Sequence, residues 1–123
     1  MTKPFSRLEG APENPDLQAM HRDLIALVVR LEQSIDTAPS AAAIAAITDQ
    51  IVEANARVNS TGRLLLAKRT EEIARHARAV AVAIPAVEKE LEDLEDFERM
   101  VSDMTALLGT VDAAIRVAKL ASP

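Results

Sequence analysis

The sequence predicts an all-α protein, folded as an elongated antiparallel bundle of three long helices. Composition is the first indication: 49% of the residues are hydrophobic and only 2% are aromatic. The apolar share is rich in alanine, the strongest helix former, and poor in the aromatic residues that strands favour. Spacing is the second, because apolar residues recur at steps of three and four over three long stretches, as on one face of a helix.

A single helical-bundle domain is expected over residues 14–123, because a chain of 123 residues has the size of one domain. Residues 1–13 contain Pro4, Gly10 and Pro12 without any periodicity, and they are predicted to form a flexible N-terminal arm. The chain has no cysteine, which is typical of a reducing compartment and favours a cytoplasmic location.

The first helix is predicted over residues 15–36. Asn14 can cap it, Pro15 suits its first position, and Asp16 opposes the positive end of the helix dipole. Its core face is expected to include Ile25 and Val28 beside the main apolar stripe, which consists of Leu17, Met20, Leu24, Leu27, Leu31 and Ile35.

The second helix is predicted over residues 38–84, with Thr37 as its cap and Pro39 in its first turn. Its apolar stripe continues without a change of phase through Ile44, Ile47, Ile51, Ala54, Val58, Leu65, Ile73, Val80 and Ile84. Residues 59–62 nevertheless have the composition of a turn, and Gly62 can end a helix. A break at 59–62, which would give four helices, is therefore the alternative.

The third helix is predicted over residues 86–120, after a reversal of the chain at Pro85. A kink within a continuing helix is the alternative. The charges favour the reversal, since a hairpin at Pro85 would place Arg78 of a basic block beside Glu92 of an acidic block. The helix carries a coiled-coil-like seam of Val87, Leu91, Leu94, Phe97, Val101, Met104, Leu108, Val111, Ile115 and Ala118.

Several classes of function are disfavoured by the same sequence. A net charge of −5 argues against nucleic-acid binding, and the longest apolar run is too short for membrane insertion. We find no nucleophile–base pair or phosphate-binding loop, so the protein is expected to be non-enzymatic and to need no cofactor. Glu72 and His76 share a helical face, but no further ligands accompany them, and no metal site is predicted.

The apolar seams are the strongest functional signal. The last helix carries more apolar residues than one seam needs, and it outreaches the first helix, so part of it is expected to lie uncovered and to bind a protein partner or a second copy. The partner surface predicted on this helix and on the second helix consists of Leu107, Leu108, Val111, Ile115, Val117, Asn55, Asn59 and Leu65.

Residues 51–80 add a family resemblance. Asn55, Asn59 and the run Gly62-Arg63-Leu64-Leu65 resemble the late helix of flagellar export chaperones that escort hook-associated proteins. That helix typically has an Asn-rich step followed by Asn-Gly-Arg-Leu-Leu. Here Ser60 and Thr61 separate Asn59 from Gly62, and about forty residues follow the stretch 51–80. The resemblance implies a helical secretion chaperone that wraps an amphipathic helix of its cargo.

Three hypotheses about function follow. The first is a non-enzymatic helical protein–protein interaction module, of which a secretion chaperone is the most specific form. The second is a homo-oligomeric structural or coiled-coil protein, for which a homodimer is the simplest state. The third is a metal-binding helical-bundle enzyme, which would need ligands beyond Glu72 and His76.

Overall fold

The protein is all-α over residues 12–123, the part of the chain that the computed structural model describes. It has four helices, α1 (Pro15–Ser34), α2 (Ala41–Gly62), α3 (Glu71–Glu90) and α4 (Phe97–Leu120), and two short 3-10 turns, Ile35–Thr37 and Leu94–Asp96. The predicted all-α bundle is confirmed. The predicted N-terminal arm lies almost entirely outside the described residues.

Short polar residues begin the first three helices. The Asn14 side chain accepts hydrogen bonds from the N–H groups of Asp16 and Leu17. Ser40 accepts one from the N–H of Ala43 and thereby starts α2, so the predicted cap Thr37 lies in the preceding 3-10 turn instead. Thr70 caps α3 in the same way. Each cap satisfies N–H groups that have no partner within the helix.

The region 38–84, predicted as one helix, consists of two helices, so the predicted number of three helices is corrected to four over residues 12–123. α2 ends at Gly62, and residues 63–70, called the crossover below, lead to α3. The alternative break at 59–62 lies just before the observed one. The apolar spacing of the sequence continues through this break because the turns of the crossover place Ala67 in the core and Leu65 against the core. Periodicity alone therefore could not reveal the break.

The prediction that Pro85 reverses the chain is wrong, because α3 continues through Pro85 to Glu90. The reversal lies at 91–96, so the last helix begins at Phe97 and not at residue 86. Pro85 is exposed, as is Ala81, whose carbonyl would accept the hydrogen bond that a proline cannot donate. Water can reach that side of the helix and replace the bond. Arg78 lies 3.6 Å from Glu71 of its own helix and does not pair with Glu92.

The helices form two antiparallel hairpins that pack side by side. α1 packs against α2 and α3, and α4 packs against the same two helices. Near the ends of α2 and α4, Arg57 donates two hydrogen bonds of 3.0 Å to the carboxylate of Asp112, so these two neighbours run in the same direction. The chain must therefore pass from α2 to α3 diagonally across one end of the bundle.

The crossover is held by the ends of the other two helices. Asn14 donates its backbone N–H to the carbonyl of Leu65 at 2.6 Å, and its side-chain amide to the carbonyls of Ala67 and Lys68 at 3.3 and 3.2 Å. Lys68 in turn donates its N–H to the carbonyl of Ala121 after α4. Backbone groups that a diagonal connection would otherwise leave unpaired are thus satisfied.

Candidate functional site

The predicted partner surface on the last helix is largely buried in the bundle's own core. Leu107, Leu108, Val111 and Ile115 of α4 are buried, and Val117 packs against the core while remaining half-buried. The expectation that this part of the helix is uncovered is thereby corrected. That expectation depends on a predicted last helix of 35 residues, which would extend beyond the first helix. In the structure α4 and α1 are similar in length, with 24 and 20 residues.

The predicted surface residues on and after α2 have a different placement. Asn55 and Asn59 are exposed, whereas Leu65 lies in the crossover, half-buried against the core, with its carbonyl bound to Asn14. The three residues therefore do not form one surface. Only the two asparagines are accessible to a partner.

An exposed aliphatic face lies on the α1–α2 hairpin. Ile25 and Val29 of α1 are 42% and 46% exposed, and Ile44 and Val52 of α2 are 40% and 61% exposed. These four are most of the large exposed hydrophobic residues among residues 12–123, the others being Leu66, Val82 and Leu120. We call these four residues the docking face.

Two contacts place Ile25 and Ile44 on the flank where α1 and α2 meet. His21 of α1 lies against Gly62 of α2, which marks the flank where the two helices meet. Ile25 follows His21 by one helical turn, and Ile44 precedes Gly62 by about five whole turns, so both are on this flank. Arg57 points the other way, toward Asp112 of α4. Ile25 and Ile44 therefore lie beside the outer groove between α1 and α2. Val29 and Val52 lie farther out on the same side of the hairpin, about 40° and about 80° round their helices from Ile25 and Ile44.

The register of the hairpin places Val52 near Val29 and leaves Ile44 toward the far end of α1. The hydrogen bond from Asn14 to Leu65 and the contact of His21 with Gly62 align the lower parts of α1 and α2. Counting from these contacts at ~1.5 Å per residue places Val52 about 3 Å along the axis from Val29 and about 9 Å from Ile25, whereas Ile44 lies roughly 15 Å beyond Val29. Asn55 and Asn59 continue the stripe on α2 at steps of three and four.

Sequence reasoning missed the docking face because it assigned Ile25 and Ile44 to core stripes. Both follow helical spacing closely enough to join either the core or its outer edge. The signal that could have revealed the face is the apolar width of α1, since Ile25 and Val29 extend beyond the arc that Leu24, Leu27 and Leu31 fill.

A pair of carboxylates forms the main electrostatic feature of the opposite hairpin. Glu90 of α3 has a buried carboxylate oxygen without a hydrogen-bond partner. Burial and, after it, the neighbouring Asp103 of α4 together raise the pKa of Glu90 to about 7 from an ordinary value of 4.5, while Arg99 opposes the change. Lys89 and Asp93 line the same groove, as does Asp96, which also raises the pKa of Glu90.

We expect this glutamate to make the stability of the protein depend on pH. The folded state retains the proton of Glu90 up to about pH 7, whereas the unfolded chain releases it near 4.5. The contribution of Glu90 is therefore complete below about pH 4.5, is lost as the pH rises to about 7, and is constant above that. Urea unfolding across this range should show a downward slope that Glu90→Gln reduces.

Asp103→Asn serves as the second variant for this prediction. Removing the neighbouring charge lowers the pKa of Glu90, so the slope should shrink and move to lower pH. An identical slope in wild type and in Glu90→Gln would contradict the assignment to Glu90.

Residues 12–123 contain no group of three or more His, Cys, Asp or Glu side chains placed to hold a metal ion. His76 is half-buried and Glu72 exposed on α3, without a third ligand beside them. Within the same part of the chain, no helix combines the length and apolar character that crossing a membrane requires.

Comparison with known proteins assigns no family to this chain. No protein-family model matches it, and neither does any curated protein or solved structure. The likeness of residues 51–80 to flagellar export chaperones is therefore a hypothesis that depends on those residues alone.

Proposed function

We propose that this protein is a non-enzymatic helical interaction module that binds an amphipathic helix of a protein partner on the docking face. The observation that carries the proposal is the set of four exposed β-branched aliphatic residues on the outer side of the α1–α2 hairpin. Of these, Ile25, Val29 and Val52 lie within about 9 Å of one another along the helix axes. A groove between two helices accepts the apolar side of a third helix, whose residues at steps of three and four fill it.

The polar surroundings of the groove support the same function. Asn55 and Asn59 are exposed beside its lower part and can donate and accept hydrogen bonds at the rim of an interface. Both belong to the stretch that resembles export chaperones, so an export cargo is the most specific partner we propose. A cytoplasmic location remains part of this proposal, in agreement with a chain that has no cysteine.

Site-specific photo-cross-linking in cells of the source organism tests the proposal. A photoreactive residue replacing Ile25 or Val52 should give the same discrete adduct, with the partner identified by mass spectrometry and the adduct reproduced from the two purified proteins. Adding Val29→Asp should reduce that adduct severalfold, because a carboxylate buried in an apolar interface loses its hydration.

Val82 provides the matched control. It is 78% exposed on α3, in the other hairpin, and a photoreactive residue there should not give the adduct. The proposal fails if positions 25 and 52 give no adduct, or if position 82 gives the same one with equal yield.

A further inference from the structure

The docking face has a symmetry of its own along α1. Ile25 lies two residues before Leu27, and Val29 lies two residues after it. Arg22 lies five residues before Leu27, and Glu32 lies five residues after it. Arg22 and Glu32 are both exposed, and neither belongs to an ion pair formed among residues 12–123.

This symmetry makes the face complementary to itself. If a second copy is turned by a two-fold axis across α1 at the level of Leu27, its α1 runs antiparallel to the first. Ile25 of one copy then faces Val29 of the second copy, and Arg22 faces Glu32 of the second copy. Val52 lies about 6 Å along the axis from the level of Leu27, so it lies at the edge of this contact. Isologous interfaces have this property, since each contact occurs twice.

We propose that the docking face binds the same face of a second copy of this chain, with the two α1 helices antiparallel and Arg22 paired with Glu32 across the interface. The inference rests on the proposed function: the same face binds α1 of a second copy whenever no cargo helix occupies it. Contact covers Ile25 and Val29 of both copies at once, and the two symmetric ion pairs set the register.

Charge reversal tests both the partner and the register. Sedimentation equilibrium of the full chain should give twice the chain mass of 13.2 kDa. Arg22→Glu should weaken the dimer about tenfold or more, because each like-charge contact occurs twice, and Glu32→Arg should do the same. The double variant exchanges the two charges and should restore association to within about threefold of wild type.

Further variants separate this contact from general charge effects. Arg75→Glu changes the net charge equally at an exposed position of α3 and should leave the dimer unchanged. Ile25→Asp should dissociate the dimer while the helical circular dichroism remains. Raising the salt concentration should reduce the difference between the single and double variants, since exposed ion pairs are screened.

The outcomes distinguish this inference from the proposed function. The inference is overturned if the protein is a monomer at all concentrations, or if Ile25→Asp leaves the dimer intact. It is also overturned if the double variant dimerises as weakly as the single variants. If the protein is monomeric and the photo-cross-links at positions 25 and 52 identify a different protein, the docking function stands and only the self-association fails. A monomer that also gives no such cross-links contradicts both the self-association and the docking function.

Discussion

Replacing Leu107 with alanine is expected to lower the free energy of unfolding by about 3 kcal/mol, within the usual range for large core residues. Leu107 is 2% exposed and belongs to the main hydrophobic core. Truncation would remove apolar side-chain atoms from the α3–α4 packing and leave a cavity that the close-packed helices can only partly close. Urea unfolding followed by circular dichroism measures the change.

The result also distinguishes a core residue from a partner-binding residue at this position. Val82→Ala is the control, because Val82 is 78% exposed and its truncation should change the stability by less than about 0.5 kcal/mol. If Leu107→Ala were as mild as Val82→Ala, Leu107 would not be a core residue, and the uncovered last helix predicted from the sequence would return as a candidate surface.

Asn14→Ala is expected to cost about 3 kcal/mol, although it changes a single polar residue at the start of a helix. The side chain is 1% exposed and both accepts the cap bonds of α1 and donates to the carbonyls of Ala67 and Lys68. Losing the cap costs about 1 kcal/mol. Leaving a buried carbonyl of the crossover without its donor adds about 1–3 kcal/mol.

Two variants separate these contributions by urea unfolding. Thr70→Ala removes only a helix cap, that of α3, and should cost about 1 kcal/mol. Asn14→Asp keeps the oxygen that caps α1 but replaces the amide donor with a second oxygen near two carbonyls, so it should be at least as harmful as alanine. Equal costs for Asn14→Ala and Thr70→Ala would show that the contacts to the crossover contribute nothing.

The start of α1 was the most predictable feature of the fold. Asn14, Pro15 and Asp16 act locally, and α1 begins where these residues indicate. The end of α2 was less predictable, because the crossover keeps apolar residues in phase with the helices that it joins. The effect of Pro85 was predicted wrongly for a related reason. A proline is tolerated inside a helix when water can bind the carbonyl that loses its hydrogen bond, and here that side of α3 is exposed.

The candidate site was predicted only in part. Asn55 and Asn59 are accessible as expected, whereas Leu107, Leu108, Val111 and Ile115 belong to the core. The error followed from the helix boundaries, since a last helix beginning at residue 86 would have outreached its neighbours. Ile25 and Val29 became recognisable as a surface only when the α1–α2 groove was known.

The sequence by itself determined the helical class, the start of α1 and the residues available for a core, because propensity, capping and apolar spacing act between residues a few positions apart. Only the tertiary structure decided which apolar stripes became core and which became surface. A stripe is buried when another helix covers it, and that depends on the diagonal crossover and on the reversal at 91–96. Those long-range packing choices place Leu107 inside the bundle and leave the docking face open.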